Sequence, residues 1–418
     1  MLNPIFIREN PGAVKAGISK KNIDSKLIDK FLRLDEDWRS KTAALNELNG
    51  EQNALSKELS KRQNEALMSK AQLLKKRITE IKEEHANLFK KRNEILLKLP
   101  NIPFDDVFIG KDASENKVLR EVGSRPEFDF KPKDHLTLGE ALGIIDVKIA
   151  AEVAGARFNY LIGDGALLEF ALVQFAIKTI IAHGFVPVIP PVFIKPEVFE
   201  GIGRLAADQK EERYYLNRDD LYLIGSAEHT LGPIHMNDVI SSEELPKRYV
   251  GFSTCFRREA GSYSKDTKGI LRVHQFDKVE MFIFSDPKKS EEEQKLLLSI
   301  QEELVKKLEL PYRVIENCTG DMGWADARQF DIETWMPSQK TYRETHSCSN
   351  TTDFQSSGIN AKYKTKDGKK EYLHLLNATG IAIGRMIITI LENNQIKEGT
   401  VKIPKVLQEF MGKEEIGK

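Results

Sequence analysis

Phe256-Arg257-Arg258-Glu259-Ala260-Gly261-Ser262-Tyr263, answered after a polar stretch by Arg272-Val273-His274-Gln275-Phe276-Asp277-Lys278-Val279-Glu280, decides how this chain of 418 residues is read. The first run closes one strand, Ala260 to Gly269 form a polar loop, and Ile270 to Phe284 form a second strand. Successive side chains on a strand point to opposite faces. Arg272, His274, Phe276, Lys278 and Glu280 therefore share one face, while Val273, Val279, Met281 and Ile283 share the other with Gln275 and Asp277. Arg257 and Glu259 likewise share a face of the first strand. The result is a hairpin with an apolar back and a front of arginines, glutamates and one aromatic ring. Charge alternation alone suits any solvent-facing sheet. The combination says more, because arginine suits phosphate, a planar ring suits a stacked base, and a carboxylate suits an ammonium group.

Working outward, Asp164 to His183 reads as a helix that ends at Gly184. Its few polar residues, Glu169, Gln174, Lys178 and Thr179, leave it apolar on most sides, a pattern of burial on two sides. It leads into Phe185-Val-Pro-Val-Ile-Pro-Pro191-Val-Phe193, where the prolines argue for an edge strand or an interface.

Ahead of this core the chain reads as two long helices. Leu27, Phe31, Leu34, Trp38, Lys41, Leu45, Leu48, Gln52, Leu55 and Leu59 step alternately by four and three residues. The rhythm resumes at Leu67, Ala71, Leu74, Ile78, Ile81, His85, Leu88, Arg92, Ile95 and Leu99. Such steps place one side chain per turn on a narrow seam. A single break near residues 60 to 67 implies two antiparallel helices, each roughly 50 Å long. Pro100 and Pro103 end the second, since proline cannot continue the helical ladder. Residues 57 to 98 hold twelve Lys or Arg and six Asp or Glu, so this stretch is +6 in a chain of net charge zero. A solvated coiled coil explains that charge as well as a grip on a phosphate backbone does.

The remaining composition excludes more than it assigns. No stretch approaches the roughly 20 apolar residues of a membrane span. The N-terminus lacks the basic and apolar regions of a secretory leader. Cys255, Cys318 and Cys348 are far apart, with no Cys-x-x-Cys pair to suggest zinc or a redox site. A reducing, cytoplasmic setting is expected.

The hairpin resembles the second motif of class II aminoacyl-tRNA synthetases in its seryl form. Other segments of that family occur in order. The helix ending at His183-Gly184 and the strand through Pro191 resemble the first motif, which in the family builds the dimer interface. Tyr342-Arg343-Glu344-Thr345-His346-Ser347-Cys348-Ser349-Asn350, with Asp353-Phe354-Gln355, resembles the metal and ATP strand. Leu376-Asn377-Ala378-Thr379-Gly380-Ile381-Ala382-Ile383-Gly384-Arg385 resembles the third motif. With the arm, the resemblance covers almost the whole chain. It implies an α+β fold: a tRNA-binding domain of residues 1–103 carrying an antiparallel two-helix coiled-coil arm (about 27–99), and a catalytic domain of residues 104–418, an antiparallel sheet flanked by helices.

The resemblance also implies roles. Arg257 would contact the ATP α-phosphate, with Arg258 beside it, Glu259 the adenine edge, and Phe276 would stack on the adenine. Arg272 would lie near the reacting phosphate and Arg385 would hold the outer phosphates. Glu344 and Ser347 would bind Mg²⁺, with Thr345 and His346 in the same ATP strand. L-serine would sit against Ser226, Ala227, Glu228, Glu280, Asn377 and Thr379. Lys75, Lys76 and Arg77 on the arm would grip tRNA(Ser), with tRNA(Sec) left open as a second acceptor, in a homodimer without zinc.

The chemistry agrees with those roles on its own terms. Attack of a carboxylate on the α-phosphate joins two anions and needs no protein nucleophile, only alignment and positive charge. Three departures from the common family pattern stand out. Ala378-Thr379 replace smaller residues, Ser226 stands for threonine, and Thr345-His346 replace a more usual pair. With no nucleophile to activate, His346 reads as structural. Two rivals fit less well. A truncated relative that charges a carrier protein lacks the arm and uses zinc-binding cysteines. An inactive homologue kept as a binding protein would have lost Arg257, Glu259, Glu344 or Arg385, and all four are present.

Overall fold

The computed structural model describes residues 1–62, 64–205, 207–260 and 268–417, apart from the side chains of residues 207 and 208. The chain divides into two compact units, one of Leu2–Pro100 and one of Asn101–Lys418 together with Met1.

In the first unit, short helices Pro4–Glu9 and Pro11–Lys20 precede the long helices α1 (Lys26–Leu59) and α2 (Glu65–Leu96). The Asn64 side chain accepts the Ala66 N–H at 2.9 Å and so satisfies one open donor at the start of α2. Lys41 meets Glu84 and Asp35 meets Arg92, so the pair runs antiparallel. Leu45, Leu48, Leu55, Leu74 and Ile78 form its dry seam. Burying each stabilises the pair by roughly 1.5–3 kcal/mol. One feature differs from the pattern. Asp35, which the heptad spacing leaves outside the seam, is fully buried at the arm's base. Arg92 Nε donates to it at 2.7 Å, Arg8 Nη1 at 3.1 Å and Arg39 Nε at 3.2 Å. The Arg92 guanidinium also lies over the rings of Phe31 and Trp38. A carboxylate can be buried there because charged donors surround it.

The second unit is built on an eight-stranded sheet. Its strands are β1 (Lys117–Val122), β2 (Val186–Val188), β3 (Lys247–Phe256), β4 (Gln275–Ser285), β5 (Tyr312–Glu316), β6 (Arg328–Met336), β7 (Thr341–Asn350) and β8 (His374–Ala382). Their order across the sheet is β1-β5-β6-β7-β8-β4-β3-β2. Every neighbouring pair is antiparallel except β2 with β3. Strand β2, which carries Pro187, is the expected edge strand, where a missing N–H costs the ladder nothing. Helices α3 (Asp164–Ile181), α4 (Ser290–Lys307) and α5 (Ile383–Asn393) cover one side through an apolar cluster that includes Leu168, Phe175, Leu304 and Ile387 with Val279, Met281 and Ile283. Farther along β4, Phe282 and Phe284 pack with Phe199, Ile224 and Leu231 in a second cluster.

The hairpin is present, but its ends differ from the expected ones. Strand β4 begins at Gln275, not Ile270, and Arg257 to Glu259 lie beyond the end of β3. Ile270–His274 is instead tied to distant segments: the Ile270 N–H reaches His135 Nε2 and the His274 N–H reaches the Arg157 carbonyl. Residues 261–267 of the expected loop lie outside the described residues. Helix α3 stops at Ile181, short of His183. It buries one face, while Phe170 is 63% and Leu167 44% exposed on the other, so within this chain it is not buried on two sides. No helix among the described residues is long and apolar enough to cross a membrane.

Candidate active site

The site opens where β7 and β8 part. These strands pair only from Cys348–Asn350 to Leu376–Ala378. One step on, the buried Gln301 amide of α4 donates to both Ser347 O and Thr379 O at 2.8 Å. This bridge replaces the missing ladder bonds and holds the strands apart, as buried carbonyls require a partner.

Two clefts meet there. The smaller, about 200 Å³, is walled by Arg257, Glu259, Arg272, Phe276, Glu344, Thr345, Ser347, Thr379 and Arg385 among others. The larger, about 540 Å³, is walled by Ser226, Glu228, Glu280 and Asn377, with Arg204, Arg213 and Asp326. Arg257, Glu259, Arg272, Lys278 and Ser347 border both. Most of the residues singled out by sequence are therefore brought together. Three are not on either lining. Arg258 turns to Tyr214, with its guanidinium 5.7 Å from the ring centre. Ala227 is fully buried in the second apolar cluster. His346 is buried, with Nδ1 2.9 Å from Thr345 Oγ1. Burial pushes its pKa down to about 4, so it is neutral and off the cleft.

In the smaller cleft Arg257 is fixed by donating from Nε to Gly225 O at 3.1 Å and lies 5.3 Å from the Phe276 ring centre. A side chain at position 225 would put Cβ 2.7 Å from Arg213 Nη1, so glycine there lets two guanidiniums approach the same backbone. Glu259 has a left-handed φ of 50°, and its carboxylate meets Arg272 Nη1 at 3.3 Å. Arg385 Nη1 donates to Glu344 O at 2.8 Å and lies 3.4 Å from its carboxylate. Crowding by protein opposes charge on Glu344 even though its side chain is 49% exposed, but Arg385, Arg257 and Arg272 hold its pKa below the ordinary value and keep it anionic. Behind it, burial and the Glu344 charge push Asp331 well above the carboxylate range. Asn317 and Gln329 donate to Asp331 at 2.9 Å each.

Glu344 and Ser347 fit a Mg²⁺ ion. Both offer hard oxygen atoms, and no group of three or more His, Cys, Asp or Glu among the described residues could cage a metal. Magnesium is commonly held by one or two protein oxygens, with water and substrate phosphates completing its shell.

In the larger cleft two buried acids differ. Burial opposes charge on Glu228, yet Arg204 and Gln355 hold its pKa below the ordinary value. Burial raises that of Glu280, although Lys278 Nζ lies 2.5 Å from its Oε2. Sequence reasoning missed Arg204, Arg213, Asp326 and Asp331. Arg213 has no periodic context, and burial followed by repulsion from Arg257 and Arg204 pulls its pKa to about 10.

An antiparallel sheet of this order, with motif arginines on the hairpin and on α5, defines the catalytic core of a class II aminoacyl-tRNA synthetase. Residues 212–394 match the class II tRNA synthetase core domain (G, H, P, S and T), and residues 1–103 match the seryl-tRNA synthetase N-terminal domain. The serine–tRNA ligase of Thermobifida fusca is 42% identical over 99% of this chain and 98% of its own. The structure of seryl-tRNA synthetase from Pyrococcus horikoshii complexed with ATP superposes with a TM-score of 0.88 at 41% identity, covering 100% of this chain and 99% of that one. The cytoplasmic serine–tRNA ligase of Naegleria fowleri in complex with AMP gives 0.83 at 33% identity over 97% and 95%. The chain belongs to the seryl-tRNA synthetase family.

Proposed function

We propose that this protein uses ATP to activate L-serine as seryl-adenylate and transfers the seryl group to the 3′ end of tRNA(Ser). The observation that carries the reading is the junction of the two clefts: a smaller half walled mainly by cations adjoins a larger half that carries the buried acids Glu228 and Glu280, and Arg257 borders both. Arg257, Arg272 and Arg385 orient the triphosphate and offset its charge, and Phe276 stacks on the adenine. Glu344 and Ser347 would hold Mg²⁺, which would supply further positive charge at the phosphates. Glu228 and Glu280 meet the amino and hydroxyl groups of serine. Holding the carboxylate in line with the α-phosphate replaces a protein nucleophile. A site built to bond a hydroxyl rejects an analogue that lacks it by about 10⁴–10⁵, so alanine and glycine are excluded at binding.

The division of labour follows the chain: residues 1–103 bind tRNA through the arm, with Lys75, Lys76 and Arg77 exposed on α2, and residues 104–418 carry catalysis. The unpartnered face of α3, with Phe170, and the neighbouring Val186 and Ile189, 89% exposed, supports a twofold homodimer; its setting in this proposal is the cytoplasm. Charging of tRNA(Ser) with labelled serine tests the reading, and tRNA(Sec) in the same assay settles the second acceptor. Light scattering should give twice the chain mass of 47.5 kDa at micromolar concentration. Failure to charge tRNA(Ser) would overturn the function, and a monomer would overturn the dimer.

A further inference from the structure

The larger cleft holds an ion-pair chain that the sequence motifs do not contain. Arg204, 14% exposed, follows the helix Pro196–Gly201 and lies against Glu228, with Nε 2.9 Å and Nη2 2.8 Å from Oε1. Gln355 Nε2 donates to the same oxygen at 2.7 Å, and Asn377 Nδ2 at 3.4 Å. Among the described residues every donor to Glu228 converges on Oε1, which leaves Oε2 as the acceptor of a residue that lines the cleft. Arg204 is itself held from behind, with Nη2 3.7 Å from Asp326 Oδ1, while Ser349 Oγ donates to Asp326 Oδ2 at 3.0 Å. A Cβ on Gly323 would stand 2.3 Å from Asp326 Oδ2, so a side chain there would displace the Asp326 carboxylate.

We infer that Arg204 is a positioning residue of the amino-acid site: it saturates Oε1 of Glu228 and presents Oε2, as an anion, to the ammonium group of the substrate. The inference rests on the serine-activating function proposed above. The other acid near the pocket floor, Glu280, has Lys278 within 2.5 Å, so its charge is already matched on its own strand. The groups acting on Glu228 are Arg204 and Gln355 first, then Lys278 of β4, while Glu280 and Arg213 feel its charge from across the cleft. Charge-assisted hydrogen bonds are roughly twice as strong as neutral ones, and this fork of two guanidinium nitrogens on a single oxygen fixes Oε1 while leaving Oε2 open.

The test is steady-state pyrophosphate exchange by the full chain, with serine and ATP varied separately from about pH 6 to 8.5. Arg204→Met is expected to raise the serine KM by about tenfold to a hundredfold and leave the ATP KM within about twofold. Its serine KM should fall as pH rises, because Glu228 without its guanidinium ionises later; the wild type should be flat. Arg204→Lys keeps the charge and loses the fork, so it should stay flat with pH and show a smaller rise. A Met variant with wild-type serine KM and pH profile would overturn the inference, as would equal rises in both KM values. Should the Met variant fail to fold, the Lys variant decides: serine KM raised with ATP KM unchanged supports positioning, and both unchanged overturns it. Wild-type protein without serine-dependent exchange would instead sink the function itself.

Discussion

Replacing Asp35 with alanine removes the buried carboxylate at the base of the arm and leaves Arg92 buried beside Phe31 and Trp38. Its partners differ in exposure, and that sets the magnitude. The Arg39 side chain is 52% exposed and Arg8 28%, so their ion pairs contribute little, on the order of 0.5 kcal/mol each. Arg92 is 7% exposed and would keep only Asn93 Oδ1, at 3.1 Å, as a side-chain hydrogen-bond partner. Stripping one member from a buried pair costs about 3–5 kcal/mol, because the other charge stays desolvated. Opening of α1 and α2 should then become roughly a hundredfold to several-thousandfold more frequent. Amide hydrogen exchange read by mass spectrometry shows this directly, with faster exchange over Lys26–Leu59 and Glu65–Leu96 and none over the sheet of the other unit. Serine-dependent pyrophosphate exchange should not change, because no assigned ATP or serine contact lies before Ser226. An arm that exchanges within about fivefold of wild type would show that Arg92 finds water, and the reasoning about its burial would fail.

Arg257→Ala should lower adenylate formation by about 3 kcal/mol, a hundredfold or more in rate, with an unchanged melting temperature; near wild-type exchange would remove Arg257 from the chemistry. Glu169 on α3 has its pKa pushed up to about 8 by burial and by Asp277. The folded state therefore holds that proton more tightly than the unfolded chain, and the resulting stability is complete below about pH 4.5 and lost as pH rises to about 8. The melting temperature of the wild type minus that of Glu169→Gln should fall across that window, and a constant difference would contradict the shift. Replacing Lys75, Lys76 and Arg77 with alanine should weaken tRNA binding and flatten its salt dependence, by about 0.7–0.9 log units per lost phosphate contact, while exchange with ATP is untouched. Normal charging across a salt titration would give the arm another purpose.

The arm was legible because a seam repeats. Steps of three and four residues found most inward positions on α2, including Arg92, from period alone, and missed Leu96, which is 3% exposed. Asp35 was not legible, since a lone aspartate beside a seam looks solvated until Arg8 and Arg92, one before it and one 57 residues after it, are placed around it. The hairpin's alternation was legible for the same reason of period. Its ends were not, because Leu271 and Val273 look like strand while the backbone there bonds to His135 and Arg157. At the site, long motif segments fixed Arg257, Glu344 and Arg385. Arg204 and Asp326 lie in irregular turns, where no spacing relates them to Glu228, and only the folded chain brings the three together.

Exchange of labelled pyrophosphate into ATP in the presence of amino acid and Mg²⁺ tests the central claim most directly, since it reports adenylate formation without tRNA. Serine should support exchange, and alanine and glycine should stay at background, because Glu228, Glu280 and Thr379 line the clefts where a hydroxyl and an ammonium group must be bonded. Exchange supported by cysteine or threonine but not by serine would contradict it.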